Sequence, residues 1–258
     1  MTDALDHLAA RAEVVKLARV LGQDEERLAF LYDVPPADIR ALRDQATDAL
    51  QEAHQSVLRK LVSAAGLVPV PVLATLAQKA FGPLISARLA GMLDTERGVA
   101  IAQKLPAPFL ADVARELDPR RAVHIISGLP VATVTDVSRE LRRREDWITL
   151  GRFVGGGVPT EITEAGLAEL NERQVLEVAF VVDDKSGLGA VVERIPDDRH
   201  VDFARAADEY DLWHALFDLL AHLDDELRAT VLAQGLDDEL RERAQERAET
   251  LGVTALLD

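Results

Sequence analysis

The sequence contains no cysteine. That absence excludes disulfides, thiol nucleophiles, cysteine-ligated zinc and iron–sulfur clusters. Aromatic residues are scarce, 4% of the chain against 48% apolar residues overall, so the core must be largely aliphatic. Basic residues are outnumbered: 29 Lys and Arg face 45 Asp and Glu, and the net charge of −16 repels phosphate backbones. The one basic cluster, Arg142-Arg143-Arg144, is flanked by Glu140, Glu145 and Asp146, so no nucleic-acid partner is expected. Long unbroken apolar runs are missing too. Residues 61–93 carry only two charges, Lys79 and Arg88, but Gly66, Pro69, Pro71, Gln78, Gly82 and Pro83 interrupt them. A transmembrane helix needs about 20 continuous apolar residues, so no such segment is predicted. Met1-Thr2-Asp3 leads into an amphipathic pattern instead of a basic-then-apolar leader, which sets a cytoplasmic expectation. Gly155-Gly156-Gly157 lacks the Lys and Ser/Thr of a nucleotide loop, and Asp183-Asp184-Lys185-Ser186-Gly187 lacks the alternating acids of a calcium loop. Both read as turns.

What the chain does have is a repetition. Leu105-Pro106, Asp112-Val113, Arg115, Glu116 and Leu117 recur as Leu129-Pro130, Asp136-Val137, Arg139, Glu140 and Leu141, always 24 residues on. Upstream, Leu93-Asp94, Arg97, Val99, Ile101 and Leu105 precede Leu117-Asp118, Arg121, Val123, Ile125 and Leu129 by the same step. Downstream, Ile195-Pro196, Asp202, Ala204, Arg205 and Asp208 follow the Leu105 copy at an offset of 90. Copies therefore begin near Phe81, Leu105, Leu129 and Ile195, with a degenerate one within 153–194. A period in the range of about 20–50 residues marks stacked supersecondary units. Each unit reads as two short helices: Phe109, Leu110, Val113, Ala114 and Leu117 form one stripe, and Ala122, Val123, Ile125, Ile126 and Leu129 the next. Helices of about 10 residues are marginal alone, so neighbours must supply burial. Val113, Leu117, Ile125, Ile126, Val137 and Leu141 are expected to be buried. Asp112/Arg115, Asp136/Arg139 and Asp202/Arg205 are expected to pair between units as a ladder.

The Leu-Pro…Asp-Val-x-x-x-Leu-Asp-x-x-x-Ala pattern resembles the cytosolic N-terminal helical domain of MgtE-type magnesium transporters and, more weakly, the helical repeats of flagellar motor-switch proteins. The resemblance covers roughly 81–232. It implies an all-α, right-handed stack of short helix pairs, without the family's regulatory and membrane domains. The family's magnesium-sensing carboxylates have no residue-by-residue counterpart here.

Around the repeats (81–235) stand an N-terminal region (1–80) and a C-terminal segment (236–258). Ile39, Leu42, Ala46, Ala49, Ala53, Val57 and Leu61 make a narrow stripe along a helix beginning at Pro35-Pro36. It reads as a helix packed on the repeats, or as a dimer seam within 36–65. The 61–93 stretch has three readings: a buried central helix pair, the lining of an apolar ligand cavity, or a peripheral membrane or partner surface. Leu236, Leu240, Ala244, Ala248 and Leu251 give the last, highly charged helix one apolar edge, as a capping helix requires.

No convergent catalytic set is visible, and neither cofactor nor metal is expected. The best chemistry-bearing group is His214, Asp218 and His222, which share a helix face over two turns. Its plainer reading is a solvated helix edge. Trp147 and Trp213 could line a ligand cage but read more simply as core anchors. The sequence therefore predicts a non-enzymatic interaction or scaffold module that docks another protein or itself. The alternative is a carrier for an apolar small molecule or lipid, using 61–93.

Overall fold

The computed structural model describes residues 2–52, 55–154, 158–159, 162–163, 170–193 and 199–257. Among them every regular element is helical and none is a strand, the all-α class that the periodicity predicts. The chain divides into two compact units, Met1–Asp44 with Leu170–Asp258, and Gln45–Glu169. This grouping follows other bounds than the N-terminal region 1–80, the repeats 81–235 and the capping segment 236–258 read from the sequence. The N-terminal helix packs on helices of the returning C-terminal segment, which sequence proximity does not reveal.

The chain opens in the first unit with α1 (Thr2–Leu21), which turns off at Gly22 with φ +61. That left-handed geometry suits glycine at a helix end. A 3₁₀ turn (Glu25–Leu31) leads to α2 (Pro36–Glu52). Ala10, Val14 and Leu17 of α1 bury themselves against Ile39 of α2, with Leu28, Leu31, Tyr32 and Val34 around them.

The second unit carries α3 (Gln55–Ala65), α4 (Val70–Leu76), a π turn (Ala77–Phe81), α5 (Gly82–Ala90), α6 (Thr95–Ala102), α7 (Ala107–Glu116), α8 (Pro119–Ile126), α9 (Val131–Arg143) and α10 (Trp147–Arg152). The 24-residue step reappears in the punctuation of these helices. Asp94 caps α6 by accepting from the Arg97 N–H at 2.8 Å, and Asp118 caps α8 by accepting from the Arg120 N–H at 3.1 Å. Pro106 and Pro130 stand before α7 and α9. α4 packs on α6 and α6 on α8, while α5 packs on α7 and α7 on α9. Val113, Leu117, Ile125, Ile126 and Leu141 are buried as expected, and Val137 is half-buried.

Two expectations need correcting here. The long apolar stripe is not continuous: Ile39 is buried, but Leu42, Val57 and Leu61 are exposed, and Leu58 turns inward beside them. Nor do the repeated acid–base pairs form a ladder. Asp136–Arg139 (2.9 Å) and Asp202–Arg205 (3.3 Å) close within their own helices, three residues apart. The first copy reaches across with other partners: Arg144 to Asp112 (2.6 Å) and Arg115 to Asp146 (3.1 Å).

By length and composition the 21-residue run Val70–Ala90 is apolar enough to cross a membrane, with mean hydropathy 1.2 in its most apolar 18-residue window. It is not one rod. Gly82 sits at φ +70, ψ 179, a region almost confined to glycine, and Pro83 supplies no N–H.

The chain then returns to the first unit: α11 (Glu172–Val181), a 3₁₀ turn (Lys185–Gly187), α12 (Leu188–Val192), α13 (His200–Glu209), α14 (Trp213–Ala221), α15 (Asp225–Gly235) and α16 (Asp238–Leu251). α14 buries seven of its residues, packed by α1, α11, α13 and α16. Leu236, Leu240, Ala244 and Ala248 form the buried edge expected of the last helix, and Leu251 is half-buried. Ile195, which opens the last repeat copy, and Gly155-Gly156-Gly157 lie outside the described residues.

Candidate functional site

The second unit surrounds an apolar cavity of about 310 Å³. Leu73 of α4, Phe81 of the π turn, Leu110 of α7, Ile125 of α8 and the α8–α9 corner at Leu129 are among its walls. Small side chains keep it hollow, among them Ala77, Ala90, Ala102 and Ala122. Gly98 lets α6 approach α8 closely; a Cβ there would lie 2.3 Å from Ile125 Cδ1.

Of the lining residues only Ser86 has a polar side chain. Its Oγ is buried and has no hydrogen-bond partner among the described residues. A helical serine without even the usual back-bond to a carbonyl one turn earlier is an unmet donor and acceptor beside apolar space. The cavity reaches the surface at Leu61 of α3 and Leu76 of α4, which line it while each remaining 37% exposed. The corner between those helices is held by Arg97 of α6, whose guanidinium donates to the carbonyls of Ala65 and Val68. The Ala65 carbonyl ends α3 and the Val68 carbonyl lies in the turn before α4, groups that an arginine can satisfy. A second apolar cavity of about 120 Å³ shares Leu117, Ile126 and Leu129 with the first.

The sequence-derived candidates lie elsewhere in the fold. Asp218 is buried on α14 and its carboxylate pairs with Lys185, so it is no solvated edge. Burial lowers the Lys185 pKa despite that partner. His222 follows α14 and its Nδ1 lies 2.7 Å from the Asp218 carbonyl. His214 is set edge-on to Phe180, with ring centres 4.8 Å apart, and burial pushes its pKa down to about 4. Among the described residues no group of three or more His, Asp or Glu could hold a metal ion. Trp213, 2% exposed, stacks on Phe217 as a core anchor. Trp147 is half-buried in the first turn of α10.

Sequence reading missed a buried ionic cluster in the first unit. Lys16 and Glu13 of α1, both 2% exposed, pair at 2.8 Å. Asp183 accepts from Lys16 and from Arg43 of α2, each at 2.7 Å. Arg40 and Arg43 both reach Glu13, at 2.7 and 3.0 Å. Burial would raise the Asp183 pKa, but Lys16 and Arg43 outweigh it and hold the carboxyl at about 2. The available signal was local: Glu13 and Lys16 stand on the helix whose Ala10, Val14 and Leu17 face the core. With every charge opposed, the cluster works as a clamp on α1, α2 and the Asp183 turn.

No family model, curated protein or solved structure matches this chain. The functional reading rests on the cavity, on Ser86 within it, and on the surface around its mouth.

Proposed function

We propose that this protein binds an apolar small molecule, an acyl chain or similar lipid fragment, in the cavity of its second unit. The observation that carries this reading is the cavity itself. Well-packed interiors contain few voids larger than a water molecule. About 310 Å³ of nearly pure hydrocarbon lining reaches the range of small-molecule sites, near its lower end. Such a space suits one chain better than a bulky ring system. The unpartnered Ser86 hydroxyl gives a ligand with one polar end a single hydrogen bond to make. Lining the cavity thereby becomes the favoured reading of residues 61–93.

The test is titration with a fluorescent fatty acid, cis-parinaric acid. Stoichiometric, saturable uptake is expected from the wild type. Ala77→Phe projects a ring into the cavity and should abolish uptake while leaving the melting temperature within about 2 °C. Overpacking a solid core would instead cost about 1–3 kcal/mol. Lost stability in Ala77→Phe, together with no saturable uptake by the wild type, would mean that 61–93 is ordinary core.

The interaction-module reading keeps one observation of its own. Leu42, Leu50 and Val57, within the expected 36–65 seam, are each about half exposed or more. The alternating packing of α4 to α9 also supports the finer reading of stacked helix pairs like those of the MgtE-type N-terminal domain. Light scattering that gives a dimer, reduced to a monomer by Val57→Glu, would favour that function.

A further inference from the structure

Residues 53–93 contain no acidic residue, although the whole chain carries 45. Over the same 41 residues stand Arg59, Lys60, Lys79 and Arg88. The most acidic of backgrounds thus holds one continuous segment of purely positive charge, bounded by Glu52 and Asp94. The segment is also where apolar side chains face water. Leu67 is 91% exposed, and Val57, Leu61, Val72, Leu76 and Leu84 are all exposed as well.

The exposed residues fall on defined helix faces. On α3, Val57, Lys60, Leu61 and Ala64 stand at i, i+3, i+4 and i+7 on one helix face, and all four are exposed, while Leu58 points inward. On α4 and the π turn, Val72, Leu76 and Lys79 repeat the arrangement. Leu61, Ala64 and Leu76 belong both to these outward faces and to the cavity lining, so the two faces meet at the mouth. Only 22% of the most apolar stretch of Val70–Ala90 is buried, so this helix run is not spent on the core.

We infer that this face docks on an anionic lipid surface, with the exposed leucines and valines entering the interface and Lys60 and Lys79 lying against the headgroups. The chemistry is that of interfacial helices, where apolar burial and basic residues act together. The chain's net charge opposes approach, but at physiological salt the remote acids are screened beyond about 8–10 Å. Contact charge then decides, and in this segment it is positive. Docking would set the cavity mouth against acyl chains. It uses outward faces only, so it holds whether or not the cavity takes a ligand.

Co-sedimentation of the full chain with vesicles tests this. Vesicles of phosphatidylcholine with a third phosphatidylglycerol should bring the protein down, and pure phosphatidylcholine should do so far less. Leu67→Glu should weaken binding about tenfold. Lys60→Gln and Lys79→Gln should each weaken it about fivefold, the equivalent of roughly 1 kcal/mol per basic residue at an anionic surface. All three positions are exposed, so circular dichroism and the melting point should stay unchanged. Ala77→Phe should leave sedimentation intact, which separates this inference from occupancy of the cavity. Wild type left in the supernatant with both vesicles, or binding indifferent to all three exposed-site variants, would overturn it. So would a dimer that Leu67→Glu dissociates and that anionic vesicles do not, since a second copy would then cover the face.

Discussion

His214 and Asp183 set how the first unit answers acid, and they do so over different ranges. Buried against Phe180, the His214 imidazole titrates at about 4 instead of its ordinary 6.5. Between these values the unfolded chain takes up a proton that the folded chain refuses. Stability from this residue is therefore complete above pH 6.5, declines as pH falls to about 4, and changes no further below. Asp183 is the depressed carboxylate, at about 2 against 3.8. Its contribution is present above about pH 4 and is lost as pH falls toward 2. Water still reaches part of the His214 ring, so we expect the pH 7 to 4 step to cost about 2 kcal/mol, or roughly 4–8 °C in Tm. His214→Phe keeps the ring contact and removes the proton site. Melting curves of this variant should lack that step yet retain the loss below pH 4; an identical slope in both proteins would show that His214 does not control the first range.

At the scale of elements, the two cavities of the second unit share walls just after α7, on α8 and at the α8–α9 corner: Leu117, Ile126 and Leu129. Leu117→Ala should join them. The substitution removes a buried leucine, so a loss of about 2–5 kcal/mol in urea unfolding is expected. If the space serves one acyl chain, the same variant should shift preference toward longer chains in a fatty-acid competition series. Unchanged preference alongside the stability loss would make the wall purely structural. Helices α6 to α9 were legible because Asp94, Pro106, Asp118 and Pro130 punctuate them every 12 residues. Their hollow packing was not. Periodicity says which face turns inward, but whether facing leucines meet or leave room depends on Ala77, Ala102 and Gly98 across long sequence separations. Likewise, nothing local marks the partner of Lys16, since Asp183 is 167 residues beyond it.

On the scale of the whole molecule, the two units differ in continuity. The second is a single stretch, 45–169, whereas the first joins 1–44 to 170–258. A continuous unit can bury its own faces, but a discontinuous one needs both segments. A fragment spanning 36–169, which starts at the natural beginning of α2, should stay helical, melt cooperatively and take up cis-parinaric acid with the affinity of the full chain. Removing residues 1–35 from the full chain should instead strip α11 and α14 of α1 and leave Asp183 without Lys16. That variant should lose the cooperative melting of the first unit while keeping probe uptake. Lys16→Met tests the clamp without deleting a helix. It removes from Glu13 and Asp183 the most deeply buried of their three cations, and breaking such a buried group typically costs about 3–5 kcal/mol. Arg40 and Arg43 remain to share the load, so about 3 kcal/mol in urea unfolding is expected, confined to the first unit, with uptake unaltered. Loss of probe binding in Lys16→Met, or in the 36–169 fragment while its helicity persists, would show that the cavity depends on the first unit.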